Sequence, residues 1–146
     1  MTQARLPPSR IAGTVYLDIS RDTILDTYSN GATQVAEPGI AGVLVTLSGT
    51  ARHGTPVNVQ YVTGPDGKYE FTNLEAGQYT VAETQPKLFN PGSATPGGPQ
   101  GVVDLNDPNR NTFFFDQLGS GVDAAGFNFG DLLPVQVSRR NYWAWS

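Results

Sequence analysis

Apolar and polar residues alternate with a period of two in short runs, and glycine or proline ends most of these runs. The run from Ile11 to Leu17 shows the pattern, and the run from Val57 to Thr63 repeats it. A period of two places successive side chains on opposite faces of a strand, whereas an amphipathic helix needs a period of 3.6. The 146 residues include 17 glycines and 11 prolines, which suit tight turns. The sequence therefore predicts an all-β protein, and no segment predicts a helix.

Short runs separated by turn residues favour an antiparallel β-sandwich of about seven strands. The predicted strands are 11–17, 40–48, 57–63, 68–71, 78–84, 111–117 and 124–130. Proline recurs through 85–100, so this segment predicts a loop, and 49–56 predicts a turn. Five aromatic residues are expected in the core: Phe71, Tyr79, Phe114, Phe127 and Phe129.

The length suits a single domain with short ends, because a chain near this size buries roughly 68–70% of its unfolded surface. We expect the domain over residues 11–134. Residues 1–10, with Pro7 and Pro8, predict a linker or N-terminal arm. Residues 135–146 predict a C-terminal strand and an aromatic tail carrying Trp143 and Trp145.

Composition excludes several classes of function. The formal net charge is -4, which argues against nucleic acid as the main partner. There is no cysteine, so disulfides and thiolate metal sites are absent. No apolar run reaches the ~18–20 residues that span a bilayer, so no membrane insertion is expected. Residues 1–10 lack the apolar core of a signal peptide, so either the chain is not secreted or Met1 begins a piece of a longer protein.

Oxygen-bearing side chains recur at every second residue directly after the first predicted strand. Asp18, Ser20 and Asp22 come first, and Ile24 and Asp26 follow at the same spacing. Oxygen ligands spaced in this way at the end of a strand can curl around one hard cation. The segment 18–39 is therefore the strongest candidate for a functional site, and the alternative is a solvated acidic turn.

The order of several motifs resembles that of a known family. The motifs read IAGTVYLD, then DISRDTILD, then EPGIAGVLVTLSG, then DGKYEFTNLEAGQYTVAET, then FNFG. Together they resemble the B-type repeat domain of Gram-positive surface adhesins: the collagen-adhesin B-type modules and, more closely, the B domains of serine–aspartate repeat proteins. The resemblance covers about residues 11–134. It implies an Ig-like or prealbumin-like sandwich that serves as a stalk or spacer at the cell surface.

The resemblance to the serine–aspartate repeat modules also implies a calcium ion (Ca²⁺). The implied ligands are Asp18, Ser20, Asp22, Ile24 through its carbonyl, Asp26 and Glu37. Two departures from the family pattern matter here. Thr23 replaces the turn glycine, and Ser29 stands where the closing glutamate is expected, so Glu37 follows only after eight further residues.

The collagen-adhesin relatives carry an isopeptide bond between a first-strand lysine and a last-strand asparagine, under a buried glutamate. Glu83 and Asn128 fall where two of these partners would lie. The only lysines are Lys68 and Lys87, and neither lies on the first strand. We therefore expect no cross-link, with Glu83 as a hydrogen-bonded edge residue and Asn128 as a turn or core amide.

Nothing in the chain predicts catalysis. His53 is the sole histidine and lies in a predicted turn. One histidine without cysteines is too few for a catalytic zinc site. A serine–histidine–aspartate triad is not indicated either, because no serine lies in a nucleophile motif. A second acidic group, Asp104 with Asn106 and Asp107, is either another cation site or an Asx turn.

The predicted function is a calcium-stiffened structural module of an extracellular or cell-surface protein. Its expected partners are neighbouring domains of a longer surface protein or identical subunits. One alternative is a self-assembling fibre subunit, in which 135–138 or the N-terminal arm completes the sheet of a neighbour. The other is a module that binds a glycan or extracellular-matrix ligand through the 85–110 loop and the tail aromatics.

Overall fold

A computed structural model describes residues 6–19, 27–30 and 33–133, and their regular secondary structure is almost entirely β-strand. One turn of 3₁₀ helix lies at Arg52–Gly54. The strands are β1 (Ser9–Leu17), β2 (Thr27–Asn30), β3 (Thr33–Ala36), β4 (Leu44–Ala51), β5 (Pro56–Val62), β6 (Lys68–Leu74), β7 (Gly77–Glu83), β8 (Asn90–Thr95), β9 (Val102–Val103), β10 (Thr112–Leu118), β11 (Asp123–Ala124) and β12 (Asn128–Leu132). The predicted all-β sandwich is confirmed.

Two five-stranded sheets form the sandwich. One sheet has the order β5-β4-β7-β10-β9 and is antiparallel throughout. The other is built on β1, which pairs antiparallel with β6 on one side and parallel with β11 and β12 on the other. β8 then pairs with β12 and forms the far edge of that sheet. The parallel contacts of β1 are a departure from the purely antiparallel sandwich that the sequence predicted.

Aromatic side chains from both sheets fill the core. Phe113 stacks at a tilt against Phe129, with ring centroids 4.8 Å apart, and meets Phe127 edge-on at 5.2 Å. Phe115 meets Phe127 at 4.7 Å. All four rings are fully buried, and such pairs stabilise a core beyond the area that they bury.

The prediction of Phe114 as a core residue was wrong by one position. Phe113 and Phe115 are buried, whereas Phe114 is half-buried on the other face of β10. Because three phenylalanines follow one another, the sequence does not show which of them face the core. The pairing of Phe113 with Val81 and of Phe115 with Tyr79, both buried, decides which face turns inward. The other four predicted core aromatics are buried.

Two predicted irregular segments contain strands instead. β4 extends three residues into the predicted 49–56 turn, to Ala51, because seven residues of β5 pair with it in unbroken register; the turn itself lies at 52–55. β8 lies inside the predicted 85–100 loop, although it includes Pro91. A proline is tolerated there because β8 is an edge strand and needs hydrogen bonds on one side only.

The segment between the acidic residues and Glu37 contains a hairpin of its own. β2 and β3 pair antiparallel from Thr27↔Ala36 to Asn30↔Thr33. The sheets described above do not include this two-stranded ribbon. Among the described residues, no helix has the length and apolar character to cross a membrane.

Candidate metal site and buried carboxyl pair

Two other segments of the chain bond to the end of β1 along one edge. The Val15 amide donates to the Gly67 carbonyl at 2.8 Å, and the Val15 carbonyl accepts from the Ile40 amide at 2.8 Å. On the same edge, the Leu17 amide donates to Pro38 O at 2.9 Å. These bonds fix the direction in which the chain leaves β1 and re-enters at Glu37.

Two glycines allow this close approach. A Cβ at Gly67 would collide with the Val15 carbonyl oxygen, and one at Gly39 would collide with the Asp66 carbonyl. Gly67 also has a φ of +77°, which residues with a side chain rarely adopt. Beyond Ile40, the buried Thr63 hydroxyl donates to the Ile40 carbonyl at 2.7 Å and accepts from the Val43 amide at 2.9 Å.

Asp18 and Glu37 lie opposite each other at this end of the sandwich. Tyr16 and Gly39 form an antiparallel bridge, and continuing its register by two residues puts Asp18 opposite Glu37. Opposed residues of an antiparallel pair point to the same face. The two side chains are only 3% and 4% exposed. Burying two carboxylates side by side is costly unless positive charge or donors compensate them.

The remaining predicted ligands lie outside the described residues: Ser20, Asp22, Ile24 and Asp26. The described part of the chain contains no cluster of three or more acidic or histidine residues around one point. The structure thus brings together the first and the last of the six predicted ligands. The calcium set as a whole stays a prediction.

A second pair of buried acids, Glu83 and Asp131, joins the two sheets near the same end. Glu83 comes from β7 and Asp131 from β12, and their carboxyl groups hydrogen-bond to each other. Asp131 is fully buried and Glu83 is 5% exposed. One oxygen of each, Glu83 Oε2 and Asp131 Oδ2, has no donor from any other group. A single proton between the two carboxyls supplies that donor.

Two amides complete the polar cluster around the pair. Gln85 Nε2 donates to Asp131 Oδ1 at 3.0 Å, and Asn111 Nδ2 donates to Gln85 Oε1 at 2.9 Å. The other end of the Asn111 amide lies 3.0 Å from Glu83 Oε1. The cluster contains more acceptors than donors in either orientation of this amide, so it favours a protonated carboxyl.

Burial, followed by the hydrogen bond and charge of Asp131, raises the pKa of Glu83 above its usual 4.5. Burial also raises the pKa of Asp131, while the bonds from Glu83 and Gln85 favour its charged form. The proton therefore belongs mainly to Glu83, and Asp131 carries the negative charge. Across the core, the pKa of the Tyr69 hydroxyl is raised by burial and by the nearby Glu83.

The expectation that Glu83 lies at an edge was wrong. β7 is the central strand of its sheet, with β4 and β10 on either side, and Glu83 faces the interior. Asp131 was not predicted to be buried, because an aspartate with a glycine before it and leucines after it resembles a turn residue. The short stretch after Phe129 does continue the period of two, and that pattern would have placed Asp131 on the inner face.

The other polar candidates have structural roles. Asn128 Oδ1 accepts from the Thr14 amide at 3.0 Å and so ties β12 to β1. Asp107 accepts from the Asn109 and Asn111 amides and from the Thr112 hydroxyl, at 2.9–3.0 Å. Burial alone would raise the pKa of Asp107, but these donors hold it below the usual range. The second acidic group is thus an Asx-type loop whose oxygens already have donors.

Two further groups of residues were singled out from the sequence: His53, predicted in a turn, and the C-terminal tail. His53 is exposed in the 3₁₀ turn. Trp143, Trp145 and residues 135–138 lie outside the described residues, so the predictions that rest on the tail stay predictions.

Comparison with known proteins bears on the whole domain. The family model of the SdrD B-like domain matches residues 18–123. The chain is 32% identical over 114 residues to serine-aspartate repeat-containing protein F of Staphylococcus epidermidis, covering 73% of this chain and 6% of that protein. It is 40% identical over 72 residues to serine-aspartate repeat-containing protein D of Staphylococcus aureus strain Newman, covering 49% of this chain and 5% of that protein.

The chain thus spans about 5–6% of the length of these relatives. The resemblance stated from the motifs is confirmed, and the class of protein is a non-enzymatic module of the cell surface. The chain belongs to the SdrD B-like family, the B-type domains of bacterial surface adhesins.

Proposed function

We propose that this chain is a spacer module of a longer surface protein, and that one calcium ion stiffens the end of the sandwich where β1 emerges. The ligands are the carboxylates of Asp18, Asp22, Asp26 and Glu37, the Ser20 hydroxyl and the Ile24 carbonyl. Calcium takes 6–8 oxygen ligands in a flexible geometry, so water completes the shell.

The observation that carries the proposal is the buried, opposed pair Asp18 and Glu37. They are separated by 18 intervening residues, and the register of the bridge between Tyr16 and Gly39, continued by two residues, supports their opposition. Both are at least 96% buried. A divalent cation supplies the positive charge that makes such an arrangement stable.

The ion would act as a link between β1 and the segment that leads into β4. β1 belongs to one sheet and β4 to the other, and Glu37 precedes the segment that crosses from β1 to β4, so the ion would fasten the start of that crossing to β1. Without the ion, several carboxylates within a few ångströms of one another repel. Calcium would convert this repulsion into a fixed contact between β1 and the crossing segment, which would stiffen a spacer module at this end.

The magnitude follows from mass action. A ligand that binds only the folded chain stabilises it by about 2.7 kcal/mol at a hundredfold excess over its dissociation constant. For a domain of this size, that free energy corresponds to a rise of roughly 5–10 °C in melting temperature. Magnesium should do much less, because it prefers a tight octahedral shell and gives up water reluctantly.

The test is thermal unfolding of the wild type, Glu37→Gln and Asp104→Asn, each with calcium and with chelator. We expect calcium to raise the melting temperature of the wild type and of Asp104→Asn, which alters an acid in the Asx-type loop. Glu37→Gln should lose most of the rise, because it removes the closing ligand. A wild type with the same melting temperature in calcium and in chelator would contradict the proposal.

A further inference from the structure

The outer edge of β5 is open in the described part of the chain. β5 is the outermost strand of its sheet, and no strand in the described residues pairs with its other side. Three of its side chains are large, apolar and exposed: Val59 at 45%, Tyr61 at 37% and Val62 at 59%. An open edge of this kind is a template for pairing with another strand.

Proteins usually block such edges, and β5 shows almost none of the usual devices. Its sequence PVNVQYV contains no charged residue. Its register with β4 is continuous from Leu44↔Val62 to Thr50↔Pro56, so no bulge turns the edge away. It is seven residues long, which is not short for a strand. Only Pro56, at the very start, lacks an amide donor.

The hydrogen-bonding pattern between β5 and β4 shows which backbone groups of β5 face the open edge. At one end the Thr63 amide donates to Val43 O at 2.9 Å, and at the other the Thr55 carbonyl accepts from the Ala51 amide at 2.7 Å. Alternate residues of an antiparallel ladder turn their backbone groups to the same neighbour. The odd-numbered residues therefore bond to β4. The amides and carbonyls of Asn58, Gln60 and Val62 face outward.

The side chains alternate in the same way. Val57 packs against the core and the Tyr61 ring meets the Phe71 ring edge-on at 6.2 Å, so the odd-numbered side chains lie on the inner face. Val59 lies between them on that face. A strand added to β5 would extend the sheet and cover the exposed parts of Val59 and Tyr61.

We propose that this edge pairs with β5 of a second copy of the chain, antiparallel and with Val59 on the two-fold axis. In that register Val57 lies opposite Tyr61 of the second copy, and Asn58 lies opposite Gln60. Apolar residues thus meet apolar residues and amides meet amides. The outward-facing Asn58 and Gln60 form the hydrogen-bonded pairs, and Val59 meets its own equivalent in a non-hydrogen-bonded pair.

Charge favours this occupant as well. A neutral strand can pair with its own copy without like charges meeting across the new ladder.

One strand pair buries less than the roughly 1,200 Å² of a stable interface, so the association is weak and is best trapped covalently. The chain contains no cysteine, so each single-cysteine variant reports on one position. At the axis, the two Val59 Cα atoms would lie about 4.5 Å apart, within the usual range of a disulfide. Mild oxidation of Val59→Cys should therefore convert most of the chain to a disulfide-linked dimer.

Two control variants are needed: one tests the register, and the other measures cross-linking by random collision. Asn58→Cys lies on the same strand but faces Gln60 of the other copy, so its thiols are too far apart to join. Leu105→Cys is 74% exposed on a distant loop and samples only random encounters. A disulfide-linked dimer of Val59→Cys, with no dimer of either control variant, supports the proposal. No cross-link at Val59→Cys, or equal cross-linking at Leu105→Cys, would overturn it and would indicate that β5 receives a strand of a different protein or none.

A measurement without cysteines provides a second test. Light scattering of the wild type at rising concentration should show a growing average mass. Val59→Lys should abolish that growth, because two lysines would meet on the axis, while its melting temperature stays near that of the wild type. A mass that does not change with concentration in both proteins would count against the pairing. Neither experiment depends on calcium, so a failure of the strand pairing can be distinguished from a failure of the proposed calcium site.

Discussion

The buried pair of Glu83 and Asp131 makes a quantitative prediction about pH. The folded domain holds a proton on this pair, because the pKa of Glu83 is raised by burial and by Asp131. In the unfolded chain, Glu83 releases that proton above its usual pKa of 4.5. The folded state thus binds one more proton than the unfolded state above this pH. Stability must therefore fall as pH rises, until the folded pair loses its own proton.

One proton corresponds to about 1.4 kcal/mol for each pH unit. Between pH 5 and pH 7, the wild type should lose roughly 2–3 kcal/mol from this source, or roughly 5–10 °C in melting temperature. Glu83→Gln replaces the protonated acid by a neutral amide of similar shape, which still offers Asp131 a donor. This variant should lose that part of the pH dependence.

The assay is thermal unfolding of wild type, Glu83→Gln and Glu70→Gln across this pH range. Glu70 is an exposed acid on β6 that pairs with Arg10 at 3.0 Å, so its variant controls for the loss of a surface carboxylate. We expect the Glu70→Gln profile to follow the wild type and the Glu83→Gln profile to be flatter. Equal slopes for wild type and Glu83→Gln would refute the shared proton.

Three further predictions concern the fold. The intact mass should equal that of the unmodified chain, because Lys68 and Lys87 are exposed and Glu83 pairs with Asp131; a loss of ammonia or water would contradict this. Phe127→Ala should lower the unfolding free energy by about 3–5 kcal/mol, and Phe114→Ala by clearly less, as measured in urea. Gly67→Ala should cost about 1–3 kcal/mol more than Gly42→Ala, which shares its positive φ but has open space around the Cβ; equal costs would show that the contact with Val15 is unimportant.

Most of the fold could be predicted because burial on one face of a strand leaves a period of two in the sequence. The runs that became β1, β5, β6 and β7 all show that period. β8 could not be predicted in this way, since its proline is acceptable only at an edge, and edge position is a property of the whole sheet. The phase of Phe113 to Phe115 was ambiguous for a similar reason. It depends on the residues of β7 that pair with β10.

The candidate site was predictable only in part. The spacing of Asp18 and Asp22 indicated cation ligands, and the structure adds that Glu37 lies opposite Asp18. The carboxyl pair was not predictable, because Glu83 and Asp131 meet across two sheets and are far apart in the sequence. A lone acid in a strand resembles a surface residue until its partner is known.

Amide hydrogen exchange in calcium and in chelator tests the central claim most directly, since it reports where the ion stiffens the domain. The Leu17 and Ile40 amides bond Pro38 and Val15 across the proposed calcium link, whereas the Val81 amide lies in the core ladder. We predict that calcium slows exchange at Leu17 and Ile40 and leaves Val81 almost unchanged. Equal exchange rates at Leu17 and Ile40 with and without calcium would contradict the account.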